Sequence, residues 1–175
     1  MRKLKNSELE RISVDNFKNS KKTPIIVVLD NVRSALNVGS AFRTSDAFRI
    51  EKIYLCGITS TPPNKEIRKS ALGSTNSVEW EHSEKTEEVV LKLRKEGYLV
   101  CAIEQVSNSV MLNDFKSTEK PLVVVFGNEV NGVQQSVVDL CDVCIEIPQI
   151  GTKHSLNISV SVGVVLWDLF YKVNQ

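Results

Sequence analysis

The sequence predicts an α/β protein whose sheet is mainly parallel and is covered by helices on both faces. Short β-branched runs recur along the chain, each run is bounded by Gly, Pro, Asn or Asp, and helical patterns lie between the runs. The predicted strands are residues 25–29, 52–56, 98–103, 122–126 and 143–147. Strands that alternate with helices form parallel sheets through right-handed crossovers, and continuous apolar runs indicate burial on both faces.

The predicted helices are residues 38–48, 84–96, 134–140 and a final helix at about 156–173. Val89, Val90 and Leu93 give the second of these an apolar side. The final helix is apolar nearly all round, which indicates that it is either interior or shared with another subunit. In a domain of this size we expect a dimer interface there, with an interior helix of a monomer as the alternative.

Composition indicates one ordinary globular domain. The chain has 175 residues, 42% hydrophobic content, 25% charged residues and a net charge of +1, so the overall charge gives no reason to invoke nucleic acid or membrane. Residues 1–24 are different, because seven Lys or Arg residues stand there against three acidic ones. We predict a basic helical arm at 1–22 and one domain at 23–175. The basic arm either binds a polyanionic partner or is a solvated terminal helix with surplus lysines.

The first residues lack the apolar stretch of a signal peptide, and the longest apolar runs, 25–29 and 162–167, are too short to span a bilayer. We therefore expect a cytoplasmic protein. Cys56, Cys101 and Cys144 lie inside strand-like runs, as buried reduced thiols do. Cys141 and Cys144 form a CxxC pair, but no second Cys or His pair follows at zinc spacing, so no metal site is predicted.

The first loop with chemical character follows the first predicted strand and carries the pattern Asn37-x-Gly39-x-x-x-Arg43. Asn37 is predicted to cap a helix, which puts the Arg43 guanidinium near the carboxyl end of the strand, where ligands of open parallel sheets bind. Alternatively, Arg43 is a surface arginine paired with Asp30 or Asp46.

Two further loops follow predicted strands. One has the pattern Gly127-Asn-Glu129-x-x-Gly132, in which two glycines flank a carboxylate and leave backbone amides exposed; an ordinary Gly-Asn turn is the alternative. The other runs from Ile147-Pro148 to a Ser155-Leu156-Asn157 turn that opens the final helix, with Ser155 as its predicted cap. Neither a GxGxxG fingerprint nor a P-loop occurs, which disfavours dinucleotides and nucleoside triphosphates as ligands.

Together these three segments resemble the three motifs of TrmH/SpoU-type RNA ribose 2′-O-methyltransferases of the SPOUT class. The resemblance covers about residues 24–170, and the third motif, Ile147-Pro148-x-x-Gly151-x-x-x-Ser155-Leu156-Asn157-x-Ser159-Val160, is the most specific. It implies a C-terminal deep trefoil knot in the chain after Leu122, S-adenosylmethionine as methyl donor, and a homodimer built partly on the last helix.

The resemblance also implies roles for individual residues. Those expected to contact the cofactor, mostly through backbone groups, are Ile103, Gly127, Ile147, Ser155 and Leu156. Arg43 is the expected main catalytic residue, and the residues expected around it are Asn37, Glu129, Ser155 and Asn157. His154 lies beside them, but the family pattern does not require it, so we interpret it as loop filler and not as a base.

Arginine is a difficult general base. Lowering its pKa from about 12.5 to neutrality costs roughly 7 kcal/mol at 1.36 kcal/mol per unit. Our hypothesis is that Arg43 holds the RNA phosphate and hydroxyl in place, while the proton leaves late or through phosphate or water. Glu129 would then orient Arg43 or Asn37, or hold its loop by accepting backbone N–H bonds.

Residues 61–73 form a predicted Pro-led basic loop that could contact RNA phosphates, with a solvated loop as the alternative. The residues predicted to contact RNA are Arg33, Arg43, Lys65, Arg68 and Lys69. Transfer RNA is the favoured substrate, because a compact two-subunit surface could grip a folded stem and loop. The alternatives are ribosomal RNA, a noncatalytic RNA-binding knot protein and a small-molecule methyltransferase.

Overall fold

The computed structural model describes residues 1–116 and 119–174, and its centre is a seven-stranded sheet. The strands are β1 (Thr23–Asp30), β2 (Ile50–Cys56), β3 (Glu79–Ser83), β4 (Leu99–Ile103), β5 (Val110–Met111), β6 (Leu122–Phe126) and β7 (Val143–Glu146). Their order across the sheet is β3-β2-β1-β6-β4-β7-β5, and every neighbouring pair is parallel. The predicted parallel α/β architecture is confirmed.

Helices cover both faces of this sheet. They are α1 (Val14–Asn19), α2 (Ala35–Ala47), α3 (Lys65–Ala71), α4 (Thr86–Lys95), α5 (Gln135–Val138) and α6 (Ile158–Val173). On one face, Phe42, Ile67 and Leu166 of α2, α3 and α6 are part of the larger buried cluster. On the other face, Leu93 of α4 and Val137 of α5 belong to a second cluster. Strand β6 is buried along its whole length, because it lies between the two layers.

Three elements were missed by the sequence patterns. Strand β3 lies at the sheet edge and is largely exposed, so it carries Glu, His and Ser where an interior strand carries β-branched residues. Strand β5 is only two residues long. The segment predicted as a Pro-led loop contains α3, because Asn64 Oδ1 caps it by accepting the Glu66 and Ile67 amides at 2.9 and 3.3 Å.

Two predicted helix caps are wrong by a few residues. Helix α2 is capped by Ser34, whose hydroxyl accepts the Asn37 amide at 3.3 Å, so Asn37 lies inside the first turn. Helix α6 is capped by Asn157, whose Oδ1 accepts the Ser159 amide at 2.9 Å, and Ser155 precedes the cap. The real cap in each case is the residue whose side-chain oxygen reaches a free amide of the first turn.

Helix α6 has one buried side and one exposed apolar side. Val162, Val165, Leu166 and Leu169 pack into the core. The opposite side presents an apolar stripe to solvent, the α6 stripe, consisting of Val160, Val164, Trp167 and Tyr171 with exposures of 37–55%. No helix among the described residues is long and apolar enough to cross a membrane.

The N-terminal segment is attached to the domain through α1. Phe17 of α1 is buried in the larger core cluster. The Lys22 ammonium closes the end of the helix by donating to the carbonyls of Phe17, Lys18 and Ser20 at 2.5–3.0 Å. The division into an arm at 1–22 and a domain at 23–175 stays a prediction.

Gly39→Ala is predicted to destabilise the fold, because α2 and α3 meet at Gly39. An added Cβ would overlap Ser70 Oγ and the Ile67 carbonyl oxygen, and the second of these is backbone that cannot rotate away. We expect a loss of about 1–3 kcal/mol in the free energy of unfolding, measured by urea denaturation. Ser40→Ala on the same helix is the control and should change stability by less than about 0.5 kcal/mol. Equal stabilities of the two variants would contradict the close helix contact.

Candidate active site

A cleft of about 600 Å³ opens at the carboxyl ends of β4, β6 and β7. Its walls are the segments that follow these strands, at 103–105, 126–132 and 145–158. The carboxyl edge is where ligands bind in open parallel sheets, and this volume is within the usual range for small-molecule sites. Two of the three chemically distinctive regions of the sequence, the loop after β6 and the segment after β7, therefore line one cleft at the expected edge.

The residues predicted to contact a cofactor all line this cleft; they are Ile103, Gly127, Ile147, Ser155 and Leu156. Glu129 and Asn157 also line it, whereas Asn37 and Arg43 do not. The structure thus brings seven of the nine predicted catalytic and cofactor residues to one place. Their roles stay predictions.

Asn128 organises the loop after β6. Its backbone pairs in both directions with Gly132 at 2.9 Å, and its Oδ1 accepts the amides of Val130 and Asn131 at 2.9 and 3.2 Å. The sequence had suggested amides exposed for a ligand, but these amides already have partners within the loop. Gly127 is required because a Cβ there would overlap the Gly132 backbone. The loop is a preformed wall of the cleft.

Glu129 joins this wall to the start of α2. Its carboxylate accepts the amides of Arg33 and Ser34 at 2.9 and 3.0 Å, and the Asn37 side-chain amide at 3.1 Å. Burial raises the pKa of Glu129, but these hydrogen bonds more than offset that effect and leave the pKa below its ordinary value of 4.5. Glu129 therefore makes the contacts needed to hold the loop before α2 and to orient Asn37.

Arg43 is exposed on α2 and makes no hydrogen bond or ion pair within the described part of the chain. The alternative of a surface pair with Asp30 or Asp46 is wrong, since Asp30 bonds Thr86 and Gln134, and Asp46 bonds Ser77. Arg43 instead lines a shallow groove with Gly163, Val164 and Trp167 of α6. The α6 residues that line the cleft are Ile158 and Ser161, and they lie on a different side of the helix.

Two carboxylates of the cleft were missed by sequence reasoning. Glu104 directly follows β4 and accepts the Val133 and Gln105 amides at 2.9 Å each, and Glu146 ends β7 and accepts the Ser109 hydroxyl at 2.7 Å. Both line the cleft. The sequence feature that could have identified them is their position at the carboxyl end of a buried parallel strand. With Glu129 they give the cleft three carboxylates and no Lys or Arg among its described lining, a charge balance that suits a cationic ligand.

His154 lines the same cleft, and its backbone carbonyl accepts the Gln105 side-chain amide at 2.9 Å. Its imidazole makes no hydrogen bond to any other described residue. Its interpretation as loop filler stays a prediction.

The cysteines form no disulfide among the described residues. Burial raises the pKa of Cys101 and Cys141 to about 12, so these thiols are neutral and poor nucleophiles at physiological pH. Within residues 1–116 and 119–174, no group of three or more His, Cys, Asp or Glu side chains is arranged to hold a metal ion.

The residues predicted to contact RNA lie outside the cleft. Lys65, Arg68 and Lys69 are exposed on α3, and Arg33 is exposed beside Glu129, which holds its backbone. None of these side chains forms an ion pair with another described residue. Cations without acidic partners are available to an anionic ligand, and contact with RNA stays a prediction.

Glu129→Gln should loosen the first loop, because an amide cannot accept all three donors that the carboxylate holds. We expect hydrogen exchange of the Arg33 and Ser34 amides to accelerate about tenfold, from the loss of charge-assisted bonds. Since the pKa of Glu129 is lowered in the folded state, this protection should be present at neutral pH and lost as the pH falls through that lowered pKa. Glu96→Gln, at the residue that follows α4, is the control. Unchanged exchange in Glu129→Gln would contradict the role of the Glu129 carboxylate.

Comparisons with known proteins agree with this geometry. Residues 24–167 match the model of the SpoU rRNA Methylase family. The tRNA (guanosine(18)-2′-O)-methyltransferase of Aquifex aeolicus is 32% identical over 147 residues, which are 82% of this chain and 67% of that protein. A crystal structure of an A. aeolicus TrmH/SpoU tRNA modifying enzyme superimposes with a TM-score of 0.82 at 27% identity, covering 92% of this chain and 81% of the other.

A rRNA methyltransferase from Sinorhizobium meliloti, solved with AdoMet bound, superimposes with a TM-score of 0.79 at 29% identity and covers 85% of this chain and 56% of its own. The present chain spans 56–67% of the length of the curated relatives compared. The resemblance first drawn from three loops is confirmed over most of the sequence. The chain belongs to the SpoU methylase family.

Proposed function

We propose that this chain is an S-adenosylmethionine-dependent RNA ribose 2′-O-methyltransferase that acts on transfer RNA. The observation that carries the proposal is the cleft, because all five residues expected to contact the cofactor line it together. The A. aeolicus relative named as a tRNA (guanosine(18)-2′-O)-methyltransferase supports this activity and substrate, and the AdoMet-bound S. meliloti neighbour supports the cofactor.

The lining of the cleft fits this cofactor. Ile103, Ile147 and Leu156 offer apolar surface for the faces of an adenine, and nearby backbone groups can meet its polar edge. Glu104 and Glu146 place carboxylates where a positively charged sulfonium compound gains from them. When bound, S-adenosylmethionine supplies an electrophilic methyl group on sulfur.

The residues of this chain must then align a ribose 2′-hydroxyl with that methyl group. We propose that Arg43 holds the adjacent phosphate and the hydroxyl with its fork of donors, and that the proton leaves late or through phosphate or water. Asn37 is held in place by Glu129 at 3.1 Å and can contact the ribose. Ser155 and the α6 cap Asn157 line the cleft.

A homodimer completes this proposal. The α6 stripe places four exposed apolar side chains on one side of a helix, and exposed apolar surface of this kind is typical of protein interfaces. Arg43 borders the stripe and does not line the cleft of its own chain. We therefore propose that a second copy packs on the stripe, so that Arg43 of each subunit serves its neighbour's cleft.

Three further expectations belong to the same proposal. A trefoil knot after Leu122 is supported by the sheet order, in which β6 lies between β1 and β4 while β7 lies beyond β4, and by the return of α6 to α2. A cytoplasmic location is supported by the free thiols of the described chain. For RNA contact we propose Arg33, Lys65, Arg68 and Lys69, whose positive charges face solvent.

Ribosomal RNA is the second candidate substrate, because the S. meliloti neighbour is named a rRNA methyltransferase. The deciding experiment transfers labelled methyl from S-adenosylmethionine to separated transfer and ribosomal RNA, followed by nuclease mapping of the methylated nucleotide. Label on a ribose 2′-oxygen of transfer RNA is expected. Label on ribosomal RNA would select the second candidate, and label on a base or on no RNA would overturn the proposal.

Arg43→Lys should lower kcat for RNA methylation by at least about 100-fold, because the charge stays but the planar fork is lost. Cofactor binding, measured by calorimetry, should remain near the wild-type value, since the contacts proposed for Arg43 are with the RNA phosphate and hydroxyl and not with the cofactor. Arg94→Lys, an ion-paired arginine on α4, is the matched control and should keep full activity. Near-full turnover by Arg43→Lys would rule out the positioning role.

Trp167→Glu should shift the protein from dimer to monomer in analytical ultracentrifugation, because it buries a charge in the apolar α6 stripe. Leu91→Glu, at a similarly exposed apolar residue of α4, is the control and should leave the dimer intact.

If Arg43 acts across the dimer, mixing an inactive Arg43→Ala chain with an inactive cleft variant such as Asn157→Ala should restore part of the activity. A mixture that stays inactive, although mixed dimers form, would place Arg43 in its own subunit's site.

A further inference from the structure

A second hollow, of about 630 Å³, lies on the same face of the sheet as α2 and apart from the cleft. We call it the α3 pocket and define it by five of its lining residues, Pro62, Lys65, Arg68, Asn76 and Trp80. Two cations and no carboxylate occur among its described lining residues. A pocket with this balance favours an anionic occupant.

The polar groups of the α3 pocket are free to bind a ligand. Lys65 and Arg68 are exposed and make no ion pair with any other described residue. Neither the Trp80 indole N–H nor the Asn76 side-chain amide has a hydrogen-bond partner in the described chain. The pocket therefore offers a guanidinium, an ammonium, an indole N–H and an amide at one place.

Trp80 gives the pocket a flat apolar surface. Its side chain is partly buried against the larger core cluster, which restrains the ring, and it also lines the pocket. Pro62 and Pro63 add further apolar surface. Aromatic rings of this kind stack with nucleic-acid bases whatever the base, because every base has a π-face.

We propose that the α3 pocket binds one unpaired nucleotide of the RNA substrate, with its base stacked on Trp80 and its phosphate held by Arg68 and Lys65. A nucleotide combines a flat apolar ring with an adjacent anion, which matches the pocket in shape and in charge. An acidic peptide would find the cations but would not use a planar aromatic surface as fully. The inference rests on the proposed function, since it assigns the pocket to the same RNA.

The pocket is also fixed relative to the proposed catalytic residues. Helix α3 packs directly on α2, where the Ser70 hydroxyl donates to the Leu36 carbonyl at 2.9 Å and Gly39 allows close approach. Helix α2 carries Asn37 and Arg43. A nucleotide held in the α3 pocket would therefore set the register of the RNA strand relative to Arg43.

The test compares Trp80→Ala, Trp80→Phe and Arg68→Gln in the methylation assay on the RNA that wild type accepts. We expect Trp80→Ala to raise KM for RNA about tenfold, which is within the range for one base stacked on an aromatic ring, while KM for the cofactor stays unchanged. Trp80→Phe keeps a ring and should lose less. Arg68→Gln should raise KM and reduce the salt slope of RNA binding by about 0.7, the value for one phosphate contact on a single strand. Lys95→Gln on α4 is the control and should change neither.

A second measurement does not depend on catalysis. A 12-nucleotide single-stranded oligoribonucleotide carrying 5-iodouridine should cross-link to Trp80 on irradiation, and the same strand in a perfect duplex should not. The inference would be overturned if the oligoribonucleotide cross-linked only to other residues and if well-folded Trp80→Ala had the same KM for RNA as wild type. If wild type methylates no RNA, the proposed function fails, and the cross-link still decides whether the pocket binds nucleotides.

Discussion

The buried carboxylate of Asp30 fixes the positions of the loops around the cleft. Asp30 is the last residue of the interior strand β1 and is fully buried. It accepts the Thr86 hydroxyl at 2.5 Å, the Asn31 amide group at 2.9 Å, and both the backbone and side-chain amides of Gln134 at 3.0 Å. A buried carboxylate is costly without such donors. Satisfying it holds α4 and the segment before α5 against the end of β1.

Asn31, the next residue, connects the end of β1 to the loops after β2 and β6. Asn31 has a positive φ of 55°, so the chain turns sharply as it leaves β1. Its Oδ1 accepts the Ile58 amide at 3.1 Å after β2, and its carbonyl accepts the Asn128 side chain at 2.8 Å after β6. Parallel register already places the ends of these strands level, with Asp30 beside Cys56 and Leu29 beside Phe126. Because these contacts hold the loop after β6 next to the end of β1, Glu129 can reach the start of α2.

The sequence predicted those parts of the molecule that depend on local pattern. Strand β6 was predicted with both bounds correct, because burial on both faces requires a continuous apolar run. Edge strand β3 has only one neighbour and an exposed face, so its residues carry no such run. The resemblance led to the cleft residues because its motifs lie where parallel strands end.

The errors came from contacts between residues far apart in sequence. Asn37 looks like a cap when only its neighbours are considered, but its side chain bonds Glu129, which is 92 positions away. Glu104 had no motif around it, and its part in the cleft depends on Val133, 29 positions later. No local spacing rule contains such pairs. They become visible only when the sheet brings the strand ends together.

The distribution of charge separates an acidic cleft from a basic surface, and this separation bears on the proposal that Arg43 is shared between subunits. The cleft is lined by Glu104, Glu129 and Glu146, which favour a cation and disfavour RNA phosphate. Four cations that make no ion pair with another described residue lie outside it on α2 and α3, namely Arg43, Lys65, Arg68 and Lys69. On the proposed function, RNA must therefore approach along the basic helices and present only a ribose at the acidic cleft. Because Arg43 stands at the α6 stripe, packing of two copies on that stripe would bring the basic surface of one subunit to the cleft of the other, so that methyl transfer would depend on assembly.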